Sequence, residues 1–93
     1  MIAGDEPLGE FMFTREIARS PSGATRRWEL RATNTDSVLG LIRWFGRWRQ
    51  YCFEPNTRTV FNGGCLMAIN GFLRKQTEAH RKRCNHVDVP VGP

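Results

Sequence analysis

The sequence predicts an α+β fold: an antiparallel β-meander of about four to five strands, with one C-terminal α-helix packed on one face. Three observations predict it. Apolar residues alternate in several short runs over residues 11–53. The clusters SPSGAT (20–25), NTDS (34–37) and EPNT (54–57) separate those runs with turn-forming residues. After Asn62 the period changes, and Leu66, Ile69, Phe72 and Leu73 recur at helical spacing.

Each element follows in order. FMFTREIAR (11–19) places Phe11, Phe13 and Ile17 on one parity and reads as the first strand. RRWELRAT (26–33) alternates Trp28, Leu30 and Ala32 with Arg27, Glu29 and Arg31, the pattern of a half-buried strand. VLGLIRWF (38–45) is the third strand and WRQYCF (48–53) the fourth, with Gly46 breaking the run between them. RTVF (58–61) adds a short fifth strand. Asn62 is suited to cap the helix, and Arg81, Lys82 and Arg83 lie in its last turn, where cations oppose the helix dipole. Gly71 costs about 1 kcal/mol relative to Ala in a helix, so its expected use is close approach to the sheet.

The 93 residues suffice for one domain. Residues 1–10 read as a flexible acidic arm, 11–85 as the α+β domain and 86–93 as a flexible Pro/Gly tail. The arm carries −3, while residues 11–93 hold 14 basic and 6 acidic side chains. A body this basic favours anionic partners, whether nucleic acid or an acidic protein surface. No run approaches the roughly 18–20 apolar residues of a membrane span. The acidic opening MIAGDEPLGE is unlike a signal peptide, and the odd count of three cysteines suits reduced thiols, so a cytoplasmic location is expected.

Turn lengths predict two unlike sheet faces. A two-residue turn at Gly46-Arg47 sets Phe45 opposite Trp48 and Trp44 opposite Arg49. A four-residue loop at NTDS sets Leu30 opposite Leu41. One face then gathers Trp28, Leu30, Ala32, Leu39, Leu41, Phe45, Trp48 and Cys52 as the core under the helix. The other mixes Arg27, Glu29, Arg31, Ile42, Trp44, Arg49, Tyr51 and Phe53. A slip of one residue in either turn exchanges the faces. Arginine beside exposed aromatic rings suits protein hot spots and base stacking alike. Arg27, Arg31, Trp44, Arg49, Tyr51 and Phe53 are therefore the candidate partner-binding residues, with Arg74, Lys75, Arg81 and Lys82 as a peripheral basic rim.

No catalytic constellation is apparent. His80, Cys84 and His86 offer three ligands where a structural zinc takes four, so no metal or other cofactor is expected. Asn62-Gly63-Gly64 lacks the lysine and spacing of a P-loop. The paired carboxylates and placed base of hydrolytic catalysis are not evident either, and no enzyme is expected.

Residues 28–73 resemble a group of small proteins of bacteriophages and prophages. The likeness rests on Trp28, Leu39-Gly40, Trp44, Trp48-Arg49-Gln50-Tyr51, Phe53, Thr59-Val60-Phe61-Asn62 and Cys65-Leu66. It implies a phage-type accessory protein in a bacterial cytoplasm that binds and modulates a host or defence protein, CRISPR–Cas inhibition being one such activity. A nucleic-acid-binding module for single-stranded DNA or RNA is the alternative, using the same face. A homodimer burying that face is the second alternative.

Overall fold

A computed structural model describes residues 5–85, with side chains as far as Lys82. The chain forms β1 (Glu6–Leu8), β2 (Met12–Arg19), β3 (Arg26–Ala32), β4 (Val38–Phe45), β5 (Gln50–Pro55) and α1 (Gly63–Asn85). The strands make one antiparallel sheet in chain order, β1 and β5 at its edges. α1 packs on one face, so the architecture is the α+β meander that the change of period predicts.

The fifth strand lies at the other end of the chain from its expected place. Residues 58–61 are not a strand: Val60 is 92% exposed, and Phe61 turns back to meet the edge of the Phe53 ring at 5.4 Å. The sheet is instead extended by Glu6–Leu8, inside the segment that composition assigns to a loose arm. Pro7 suits this edge because it has no N–H to leave unpaired. Leu8 reaches the core, Arg15 holds Asp5 through two hydrogen bonds of 2.9 and 3.0 Å, and Lys75 of α1 holds Glu6 at 3.1 Å. Gly9, at φ +74°, makes the turn into β2. The predicted tail, 86–93, lies outside the described residues.

Two registers differ from expectation, with different consequences. Gly46 does not take the positive φ of a type II′ turn; Arg49 takes it instead, at 56°, and residues 46–49 form a four-residue loop. Trp44 therefore faces Tyr51 rather than Arg49. This is a shift of two, which leaves every side chain on its own face. Between β3 and β4 the outcome is larger. Arg31 pairs with Val38 but Leu30 pairs with Gly40, so Leu39 is an extra residue in a β-bulge. From Gly40 onward β4 is inverted relative to the predicted faces. Ile42 lies opposite Trp28, and Leu41 lies opposite Glu29.

The core face is consequently Trp28 and Leu30 from β3, Ile42 and partly Trp44 from β4, and Tyr51 and partly Phe53 from β5, with Leu8 and Met12 completing it. Leu41, Phe45 and Cys52 belong to neither the core cluster nor its rim of half-buried apolar neighbours except through the sheet itself, and Trp48 is exposed. β2 also turns its less apolar parity inward. Met12, Thr14 and Glu16 are buried, whereas Phe13 lies on the open face with the Arg15 guanidinium 5.5 Å from its ring centre. Buried Glu16 is tolerable because Arg19 donates to it and Arg26 stands 3.9 Å away.

Asn62 caps α1 as its sequence suggests, its Oδ1 accepting from the Cys65 N–H at 2.8 Å. Ile69 and Phe72 carry the buried stripe, and Phe72 meets Trp28 edge-on at 5.1 Å. Leu66, expected in that stripe, is exposed, while Cys65 and Ala68 pack against the core. Gly71 does not approach the sheet; it is exposed, with open space where a Cβ would stand. The close approach occurs at buried Gly40, where a Cβ would lie 2.5 Å from the Glu54 carbonyl and 2.6 Å from the Phe53 ring.

The second face of the sheet has no layer over it among the described residues. It is a charged surface, crossed by the row Arg15–Glu29–Leu41–Glu54 and beside it Arg27–Arg43–Cys52. Arg31 pairs with Glu29 at 2.8 Å and Arg43 with Glu54 at 2.6 Å. Hydrogen bonding to Arg43 holds the Glu54 carboxyl below its ordinary range, and Arg15 does the same for Asp5.

Two measurements check this account. In urea denaturation, Gly40→Ala should cost about 1–3 kcal/mol through overpacking, whereas Gly71→Ala should gain about 1 kcal/mol. The depressed carboxyls stabilise the fold fully above the unfolded carboxylate range and lose that effect as the pH falls through their folded values. The melting temperature should therefore drop below about pH 4, and Glu54→Gln should flatten part of that drop. A profile unchanged by Glu54→Gln would show that the Arg43 pair contributes nothing.

Candidate binding groove between β5 and α1

β5 is an edge strand whose free side looks toward α1. Its even-numbered residues face β4, as the Asn56 N–H donating to the Leu39 carbonyl at 2.9 Å marks. The odd-numbered ones direct their backbone groups outward. The first outward donor, Tyr51 N–H, is satisfied by Thr77 Oγ1 of the helix at 3.0 Å. Two residues on, the backbone of Phe53 has the same outward direction and no strand beside it. Pro55 follows and has no N–H to offer.

Between this edge and the helix runs an open groove of about 600 Å³. Its strand wall is Gln50, Tyr51, Cys52 and Phe53. Its helix wall is Asn70, Leu73, Arg74, Thr77, Glu78 and Arg81, the residues that helical spacing places on one side of α1. Trp48 stands at one end, 61% exposed, its ring edge-on to Phe45 at 4.8 Å. The helix wall carries two arginines and one carboxylate, so it favours an anionic occupant. Burial pushes the Cys52 thiol above its ordinary value, with nearby Arg43 opposing. The sulfur is therefore protonated at neutral pH and a poor nucleophile.

The structure divides the predicted partner-binding set. Tyr51 and Phe53 line the groove, together with Arg74 and Arg81 of the predicted basic rim. Tyr51 is nonetheless core, 4% exposed, so its ring is not a stacking surface. Trp44 lies on the same helix-covered side, 4.1 Å from the His80 ring and 5.3 Å from Tyr51. Arg27 and Arg31 are on the opposite, open face, and Arg49 is in the hairpin loop. Lys75 turns to Glu6, and Lys82 is exposed in the last turn. The expected aromatic–arginine face is thus not one surface. The Leu39 bulge put its aromatics under the helix and left arginines outside.

His80 is held by packing as well, with its Nδ1 2.9 Å from the Ala24 carbonyl. The Cys84 side chain and His86 lie outside the described residues. Among the described residues no group of three or more His, Cys, Asp or Glu side chains is placed to hold a metal ion, and no helix is long and apolar enough to cross a membrane. Sequence reasoning missed Trp48, Thr77 and Asn70 as groove residues. The spacing of Asn70, Leu73, Thr77 and Arg81 on one helix flank was readable, but only the register of β5 shows what that flank faces.

No protein-family model matches the chain, and comparison with curated proteins and with solved structures finds no match either.

Stability measurements separate the core aromatic from the groove aromatic. Tyr51→Ala should cost about 3–5 kcal/mol, as for loss of a large buried side chain. Trp48→Ala should change stability by no more than about 0.5 kcal/mol. Equal losses for the two variants would contradict the placement of Trp48.

Proposed function

We propose that this chain is a non-catalytic, phage-type accessory protein that binds a host or defence protein, and that it does so by taking a short acidic, extended segment of that partner into the β5–α1 groove. The observation that carries this reading is the outward backbone of Phe53 beside an open groove. An added strand would bond to Phe53 N–H and C=O and to the Tyr51 carbonyl, the mode by which many modules bind peptides. Thr77 already occupies Tyr51 N–H and Pro55 lacks a donor, which limits the added segment to a few residues. Leu73 supplies apolar contact, and Arg74 and Arg81 supply charge complementarity. The likeness of residues 28–73 to phage and prophage proteins supports a bacterial partner, a CRISPR–Cas component being one candidate.

The test is selection of peptides on the immobilised protein, followed by amide hydrogen exchange. Selected peptides should be extended and acidic, should slow exchange at Phe53, and should lose binding with Leu73→Asp but not with Met67→Asp, which lies outside the groove. Binding should weaken only modestly between 0.1 and 0.5 M salt, unlike phosphate-driven binding with its counterion release. Unchanged Phe53 exchange, or equal binding by Leu73→Asp, would overturn the proposal. So would Phe53 protection that appears on dimerisation alone, since β5 would then be the seam of a homodimer.

A further inference from the structure

A second cavity, at the sheet end where the β2–β3 and β4–β5 connections lie, has a different character. It measures about 310 Å³ and is lined by Arg19, Arg26, Arg27 and Arg43, with Ser20 and Thr25 hydroxyl residues, Ala18 and Trp44. No carboxylate lines it. The four arginines line this one end of the sheet in two cross-strand pairs, Arg19 opposite Arg26 on the helix-covered side and Arg27 opposite Arg43 on the open side. Like charges directly opposite one another destabilise a sheet. Two such pairs on adjoining strands are an arrangement that the fold alone does not favour.

The local carboxylates only partly offset this charge. Glu16 pairs with Arg19 and lies 3.9 Å from Arg26, and Glu54 pairs with Arg43. Arg27 makes no ion pair within 4 Å among the described residues. The four arginines against Glu16 and Glu54 leave an excess of +2 (4 − 2) at the cavity. The same two carboxylates stand behind the guanidinium groups and steady them. A guanidinium has five N–H donors, so each tethered arginine retains donors for a ligand. The cavity opens where β3 and β4 part, because the Arg26 N–H is taken by the Tyr51 hydroxyl at 3.1 Å.

We infer that this cavity binds a phosphate monoester, the dianion of a phosphorylated small molecule. An excess of +2 matches a group carrying about −1.5 to −2 at pH 7. Paired guanidinium groups match its several acceptor oxygens. Half-buried Trp44 also lines the cavity and is its one aromatic residue. This site is separate from the β5–α1 groove, and either can fail without the other.

The experiment is a titration of the full chain with inorganic phosphate and with phenyl phosphate at constant ionic strength, followed by NMR shifts of the arginine Nε–H groups and of Trp44. Saturable shifts at Arg26, Arg27, Arg43 and Trp44 are expected, with phenyl phosphate binding more tightly than inorganic phosphate. Arg27→Gln and Arg43→Gln should each weaken binding about tenfold, the scale of one lost charge-assisted hydrogen bond. Arg27→Gln also relieves a like-charge pair, so its melting temperature should hold or rise, which separates lost binding from lost folding. Chloride acting as well as phosphate at matched ionic strength would overturn the inference. Shifts confined to Arg74 and Arg81 would also overturn it. Binding of a single-stranded oligonucleotide at these arginines, with phenyl phosphate silent, would overturn it in favour of a nucleic-acid site.

Discussion

Tyr51 ties together the parts on which the rest of the structure depends. Its N–H is closed by Thr77 of the helix and its hydroxyl reaches the backbone of Arg26. Its ring meets Trp28 and Trp44 edge-on, each at 5.3 Å. With His80 of α1 also edge-on to the ring at 6.4 Å, one residue joins β3, β4, β5 and α1 through two hydrogen bonds and three ring contacts. A small domain has few such joints, since a chain of this length buries only a modest core. The helix has its orientation over the sheet because Thr77 must meet the free edge of β5 while Phe72 covers Trp28. The groove and the arginine cavity are both by-products of this joint. The first is what remains open beside the edge after Thr77 has closed one donor. The second opens where the Tyr51 hydroxyl stands in for the next rung between β3 and β4.

Among the described residues one helix covers one face of the sheet and leaves the other face open. Here that face is crossed by alternating guanidinium and carboxylate groups rather than by a continuous apolar surface. Exposed ion pairs of this kind contribute little stability individually. Their physical consequence is to make the open face well solvated, which removes it as the default docking surface. At the sheet edges, β1 and β5, one side of the backbone has no neighbouring strand among the described residues. Pro7 protects the β1 edge. Pro55, Thr77 and the flanking helix partly protect the β5 edge, and natural sheets manage their edges by such means.

The basic charge of the body bears on the kind of partner and does not locate a site. Of the ten residues that charge and aromatic content single out, Tyr51, Phe53, Arg74 and Arg81 come together, and Arg27 and Trp44 line the second cavity with three further arginines. The others are dispersed because charge and aromaticity were read on faces whose assignment hung on strand register. Glu6–Leu8 escaped notice because Gly4, Pro7 and Gly9 make residues 1–10 read as a loop, whereas its place in the sheet comes from Leu8 in the core and the ion pairs of Asp5 with Arg15 and of Glu6 with Lys75.

The sequence by itself determined the class of fold, the three central strands within a residue or two, the start of the helix at Asn62, and the basic balance of the body. These are local properties, carried by period, turn composition and capping chemistry. Tertiary structure decided which side of the sheet is the core. That choice turned on one extra residue, Leu39, because alternation has period two and a single insertion inverts everything beyond it. The two-residue shift at Gly46–Arg49 moved as much chain and exchanged no faces. An aromatic such as Tyr51 is apolar enough for a core and polar enough for a surface, so its side chain carries no record of the face it occupies. Only the strand beside it and the helix above it supply that.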